Sequence, residues 1–188
     1  MPLGNEWAWT GNGIKPFKVV LDQFIHAVCG DGNYLLSIGC MPNGKIAPEE
    51  TESMLKLGDW LKKYGHTVYG TRSGPWNPGA FGGSVYRDDT AYIHVVERPQ
   101  NGTVMFPLEE YRIKNFTCLT GEDISLEIKD NMLVLTIPDV EFEDIIIEVK
   151  MSENIRTSTE GISVSGTEKI RSHIADIEIM EIQKKRKI

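Results

Sequence analysis

The sequence predicts an α+β protein, with an αβα segment leading into an antiparallel β-sandwich. Three observations carry this. Apolar residues recur at helical spacing over residues 17–29 and 48–64. A short apolar run bounded by glycine-rich turns lies between them. From Gly83 onward the apolar period becomes two. Helix, buried strand and helix in succession form the repeating unit of an α/β barrel or a doubly wound sheet. Short alternating strands with polar turns are the pattern of a sandwich.

Residues 1–16 contain Gly4, Gly11, Gly13 and Pro16 and read as loop. Trp7 and Trp9 lie two apart, so an extended backbone would turn both to one side. Two uses fit: packing against the adjoining fold, or a platform for the apolar face of a sugar. The helix over 17–29 presents Phe17, Val20, Leu21, Phe24 and Val28 on one face, with Gly30 as its stop. His26, near its end, reads as a surface or capping residue.

Residues 30–50, GDGNYLLSIGCMPNGKIAPEE, organise the first half. The run 34–38 is too short for a buried helix and reads as a buried strand. Gly39 and Asn43-Gly44 mark the loop after it. Pro48 suits a first helical turn, and Glu49, Glu50 and Glu52 complement the helix dipole. Met54, Leu57, Leu61 and Tyr64 form the expected buried stripe, and Gly65 follows.

Residues 65–83 are rich in Gly and Pro and hold the expected domain boundary. Arg72 and Trp76 lie in this stretch, the arginine read as solvated or locally bonded and the tryptophan as packed in core or linker. Beyond it, strands are expected around Tyr92–Val96, at 103–106 after a hairpin turn at Gln100-Asn101-Gly102, and at 112–119. Others are expected at 124–129, at 132–137 after an Asp130-Asn131 turn, and at 145–151. Residues 152–188 fit neither class clearly. Ile170, Ile174 and Ile177 suit a helix, Ile177 and Ile179 a strand, and KKRK near the end a solvated tail.

A net charge of −7 and a pI near 5.2 argue against nucleic acid and anionic membranes as partners, since both need a basic surface. No stretch approaches the roughly 20 apolar residues of a membrane span. The first residues lack the basic start and apolar core of a signal peptide, and the compartment is left open. Cys29, Cys40 and Cys118 are widely spaced, an odd count with no CxxC or Cys/His pattern, and are expected to be buried or half-buried thiols. No metal or cofactor is expected. Acid/base chemistry needs two carboxyl groups in separate roles. Glu6 and Asp31 alone sit in suitable loops, and nothing marks them as a pair. No nucleophilic triad or phosphate loop stands out.

The run GDGNYLLSIGCMPNGKIAPEETESMLKLGDWLKKYGHTVYGTRSGPW resembles the end of the catalytic barrel in the α-L-fucosidases of glycoside hydrolase family 29. Those enzymes carry a similar glycine turn, an apolar strand, a P-x-G-x-I loop, an E..GEWL..NG helix and IYGTR. The upstream EWAWTGNGIKP resembles their W-x-W segment, and the likeness runs from Glu6 to Met151. Ser37, Cys40 and Asn43 depart from the usual Asn, Pro and Asp. The resemblance implies that residues 1–72 are the terminal αβα piece of a (β/α)8-type barrel, 73–82 a linker, 83–151 a β-sandwich and 152–188 an extra tail. It implies a retaining hydrolase of α-L-fucosides whose Asp nucleophile and Glu acid/base lie upstream of residue 1. No catalytic residue is therefore expected here, and the chain alone is expected to be inactive. Trp7 is implied to wall the sugar's methyl group, with Trp9 as its neighbour. Expected partners are fucosylated glycans or glycosides, and a missing barrel half or a second copy of the chain. The competing function is a non-catalytic carbohydrate-binding or scaffold sandwich, with Trp76, Tyr86 and Tyr92 as its aromatics.

Overall fold

The computed structural model describes residues 1–108 and 112–155. The readings made for residues 156–188, including the Ile170–Ile179 spacing and the KKRK cluster, lie outside the described residues. Two helices and eight antiparallel-paired strands are present among them.

Helix α1 (Phe17–Cys29) starts behind Pro16 and stops at Gly30, whose N–H donates to the His26 carbonyl at 2.9 Å. Its buried residues are Val20, Leu21, Ile25 and Cys29. The buried face is therefore turned from the predicted one: Ile25 and Cys29 go inward, while Phe17, Phe24 and Val28 are only partly covered. Helix α2 (Pro48–Tyr64) has Pro48 at its start, Glu49 and Glu50 in its first turn, and Lys62 and Lys63 in its last. Of the predicted stripe, Leu57 is buried, Leu61 is partly so, and Met54 faces solvent.

The buried strand expected at 34–38 is not observed. The segment is extended, forms one parallel bridge from Ser37 to Pro2, and leaves Leu35 78% exposed. The Leu3 N–H donates to Ser37 O, and the Ser37 N–H to Met1 O, each at 2.8 Å. The Met1 amino group donates to Leu35 O at 2.6 Å. A strand is buried only when neighbours cover its edges and faces. Here one three-residue neighbour serves one edge. Even so, residues 1–3 and 35–37 run parallel with α1 between them, the connection a parallel pair requires. Lys15 secures the other side of residues 1–3: its N–H donates to Leu3 O at 2.9 Å and its Nζ to Pro2 O at 2.7 Å.

Strands β1 (Arg72–Ser73), β2 (Gly82–Arg87), β3 (Thr90–Val95), β5 (Ile113–Cys118) and β8 (Ile145–Met151) form a sheet of order β1-β2-β3-β8-β5. Strands β4 (Thr103–Pro107), β6 (Ser125–Lys129) and β7 (Met132–Thr136) form a second, of order β4-β7-β6. Asp130 and Asn131 both adopt positive φ, 50° and 61°, the geometry of a two-residue hairpin between β6 and β7. The hairpin expected at 100–102 is absent. A turn is there, with the Gly102 N–H donating to Pro99 O at 2.8 Å, but it carries the chain from one sheet to the other. Strand β3 already pairs with β2 and β8, so no edge remains for β4.

The two sheets face each other across a core. Ile93, Val95, Ile145, Ile147 and Val149 come from one sheet, and Val104, Phe106, Leu133 and Leu135 from the other. The opposite face of the larger sheet is covered by the helices: Val85, Tyr92 and Val96 meet Leu21, Ile25, Cys29 and Leu57. Every residue of β3 is consequently buried.

Gly83 sets how closely α1 approaches the sheet. A Cβ there would lie 2.6 Å from Cys29 Cβ and 3.0 Å from both Cys29 Sγ and Pro78 Cβ. Cys29 Cβ is fixed to the helix backbone, so the helix itself must move. Gly83→Ala is expected to destabilise the chain by about 1–3 kcal/mol, the usual cost of overpacking, read as a lower urea midpoint. A change below about 0.5 kcal/mol, the range of neutral surface substitutions, would show that this contact does not set the helix position.

Candidate functional site

Two loops follow the C-terminal ends of the short parallel pair: residues 4–16 after 1–3, and 39–47 after 35–37. Gly39 is where they meet. A Cβ on Gly39 would collide with the Trp9 backbone nitrogen and lie 2.8 Å from Trp9 Cα. Only glycine admits that approach without displacing one loop.

The first turn of α2 closes the arrangement. Glu49 faces solvent, as a dipole-complementing acid ordinarily does. Glu50 does not: it is 3% exposed, and its Oε1 accepts a long hydrogen bond, 3.4 Å, from the Gly39 N–H. Its Oε2 and the Ser53 Oγ are buried without a partner. Glu50 lines a small cavity with Gly4, Glu6, Trp9, Thr10 and Glu49.

The two predicted site residues have different surroundings. Trp7 is 83% exposed. Trp9 is half-buried, lines the cavity and has its indole edge against Gly11. The expectation that both face one side assumed an extended backbone, whereas residues 5–8 are bent. Within this chain Trp7 is left in solvent, while Trp9 is partly covered.

A second polar cluster, absent from the sequence reading, lies beneath the helices. His94 Nδ1 and Asp144 Oδ2 are 2.9 Å apart, both side chains essentially inaccessible. His94 Nε2 and Asp144 Oδ1 are unpartnered. The Trp60 ring lies 6.2 Å from that of His94. Burial, reinforced by the negative charge of Asp144, pushes the Cys29 thiol up to about 12. Cys, His and Asp together have the composition of a nucleophilic site, but this thiol stays protonated and closed to solvent. The cluster is structural. Its residues are 29, 94 and 144, so no local spacing could announce it.

The remaining singled-out residues resolve individually. His26 bonds the Asp22 carbonyl at 2.8 Å and the Gly79 carbonyl at 3.2 Å, a surface role as read. Arg72 pairs with Asp31 at 2.5 Å on the exposed surface. Trp76 is buried, donates to Pro107 O at 2.8 Å and stacks near Phe106. Tyr86 and Tyr92 pack into the cores. Of the aromatics named for glycan binding, Trp76 and Tyr92 are thus buried and Tyr86 is half-buried. Cys29 is buried and Cys118 half-buried as expected, whereas Cys40 is exposed, because the loop that holds it has no cover. Among the described residues no cluster of three His, Cys, Asp or Glu side chains is placed to hold a metal ion, and no helix is long and apolar enough to cross a membrane.

Comparison with known proteins shows what this chain is similar to. Residues 1–66 match the family model described as Alpha-L-fucosidase. The human tissue alpha-L-fucosidase is 35% identical over 57 residues, 30% of this chain and 12% of that protein. An alpha-L-fucosidase of Dictyostelium discoideum is 26% identical over 140 residues, 68% of this chain and 30% of that one. The chain thus spans well under half the length of these curated relatives. Among solved structures, a GH29 alpha-L-fucosidase of Bacteroides thetaiotaomicron, captured as a trapped covalent intermediate, aligns at a TM-score of 0.67 and 25% identity. That alignment covers 80% of this chain and 37% of the other. The alpha-L-fucosidase isoenzyme 1 of Paenibacillus thiaminolyticus aligns at 0.67 and 20% identity, over 81% of this chain and 39% of that one.

The contrast between the cysteines is directly measurable. At pH 8 a thiol pushed up to about 12 presents almost no thiolate, and Cys29 is also covered. An Ellman-type disulfide reagent is expected to modify Cys40 within minutes and to leave Cys29 unmodified until urea unfolds the chain. Prompt modification of Cys29 in the folded state would contradict the burial of the cluster.

Proposed function

We propose that this chain, a relative of the α-L-fucosidases of glycoside hydrolase family 29, is the C-terminal portion of such an enzyme and contributes an aromatic wall to its sugar site. In this reading residues 1–72 are the end of the catalytic barrel, 73–82 the connection and 83–151 the sandwich that supports it. The observation that carries the reading is the position of Trp7: exposed, on the loop that follows residues 1–3, which are joined to residues 35–37 by a parallel bridge. In (β/α) barrels that end is where the loops build the active site. The likeness of residues 1–66 to the family model covers this loop.

The chemistry assigned to the chain follows from what it contributes. A retaining glycosidase places two carboxyl groups about 5–5.5 Å apart, one as nucleophile and one as acid/base. Neither is assigned to a residue of this chain. Trp7 supplies an apolar face for the methyl group of a 6-deoxy sugar, burying it from water and orienting the ring. The chain alone is therefore inactive towards α-L-fucosides, and its protein partner is the missing part of the barrel or a second copy of itself.

Two measurements test this. The purified chain is expected to release no chromophore from an aryl α-L-fucoside above the buffer rate. Robust turnover that disappears on substituting a residue within the chain would overturn the reading. L-Fucose binding, followed by saturation-transfer NMR, is expected to weaken about tenfold in Trp7→Ala, the loss of one aromatic contact of about 1.4 kcal/mol. Equal binding by wild type and variant would remove Trp7 from the site.

A further inference from the structure

We propose that Glu50 is a positioning residue that holds the aromatic 4–14 segment in place through Gly39. The proposal rests on the fucosidase reading only for what that segment recognises. A carboxylate in the first turn of a helix needs no burial to complement the dipole, and Glu49 beside it remains in solvent. Burying Glu50 costs free energy unless something inside uses its charge. One oxygen takes the Gly39 N–H. Gly39 in turn lies against the Trp9 backbone, closer than any side chain would allow. The second oxygen has no partner, and the residue borders the cavity shared with Trp9 and Thr10. Ser53, on the same face one turn later, is buried and unpartnered as well. At the cavity, α2 thus presents a buried acceptor, Glu50 Oε2, where an ordinary core would present an aliphatic group.

The contact runs from carboxylate to Gly39 to Trp9, so Glu50 acts on the segment through its backbone. It fixes the backbone from which Trp7 and Trp9 project. Removing it loosens the loop without removing either aromatic.

Hydrogen–deuterium exchange of the whole chain tests this. Glu50→Ala is expected to raise exchange in residues 4–14 and 39–41 about tenfold, the loss of one hydrogen bond to a charged group. Protection in α1 and β3 should stay unchanged. Glu50→Gln keeps the shape and one carbonyl acceptor and is expected to recover most of the protection. Asp59→Ala, an exposed acid farther along α2, is the control and should change nothing. Glu50→Asp withdraws the carboxylate by one methylene and replaces the alanine variant if that chain does not fold; it too should raise exchange in 4–14. Wild-type exchange in residues 4–14 of either shortened variant overturns the proposal, as does a loss of protection spread evenly over α1 and β3. In a parallel L-fucose titration, Glu50→Ala is expected to weaken binding at least fivefold. A wild-type chain that binds no L-fucose removes the aromatic wall assigned to this chain, while the exchange contrast still decides the role of Glu50.

Discussion

Burial of β3 on both faces is the constraint on which the rest of the structure depends. Its alternate residues serve different cores: Ala91, Ile93 and Val95 meet the second sheet, while Tyr92, with Val96 just past the strand, meets the helices. A strand in that position cannot tolerate a polar residue that lacks an internal partner. His94 points to the helix side and takes Asp144, at the start of the neighbouring β8, as that partner. Replacing such a pair by apolar side chains often costs nothing, whereas removing one member is expensive. The pair therefore ties the entry to β8 to β3 more by the penalty of separation than by its attraction.

The helical layer is held by the same sheet. Gly83 lets α1 descend until Cys29 touches β2, and the Ser73 hydroxyl donates to the Cys29 carbonyl at the helix end. Lys18 adds a tie from α1 to the Val96 carbonyl, just past β3. These contacts fix α1, and α1 fixes the short parallel pair at its two ends. The loops that leave that pair are consequently anchored from below by the sandwich, although no residue of the sandwich lines the cavity between them. A loop that carries recognition on a rigid scaffold is the ordinary way a fold separates stability from function.

Most of the secondary structure was legible because its signals are local. The Asp130-Asn131 hairpin, the period-two run of β8 and both helices with their glycine stops depend on neighbours within a few residues. The strand at 34–38 was not legible as it occurs. Its composition is that of a buried strand, but burial is supplied by other segments, and here one edge of the segment meets only residues 1–3. The same limit applies to Met54, apolar by type and exposed in fact. It applies equally to the turn at 100–102, whose local chemistry specifies a turn but not which sheet receives the chain.

The sequence by itself carried the resemblance to the α-L-fucosidases, both helices, most strands of the sandwich and the aromatic pair at Trp7 and Trp9, because motif, period and turn chemistry are written in consecutive residues. Only the tertiary structure decided that Trp7 is open to solvent while Trp9 is half-covered. It also decided that Glu50, one acid among several at a helix start, is buried against Gly39, and that His94 and Asp144 meet fifty residues apart. Burial and partnership are properties of the surfaces that close around a side chain, and those surfaces come from parts of the chain that no local pattern connects.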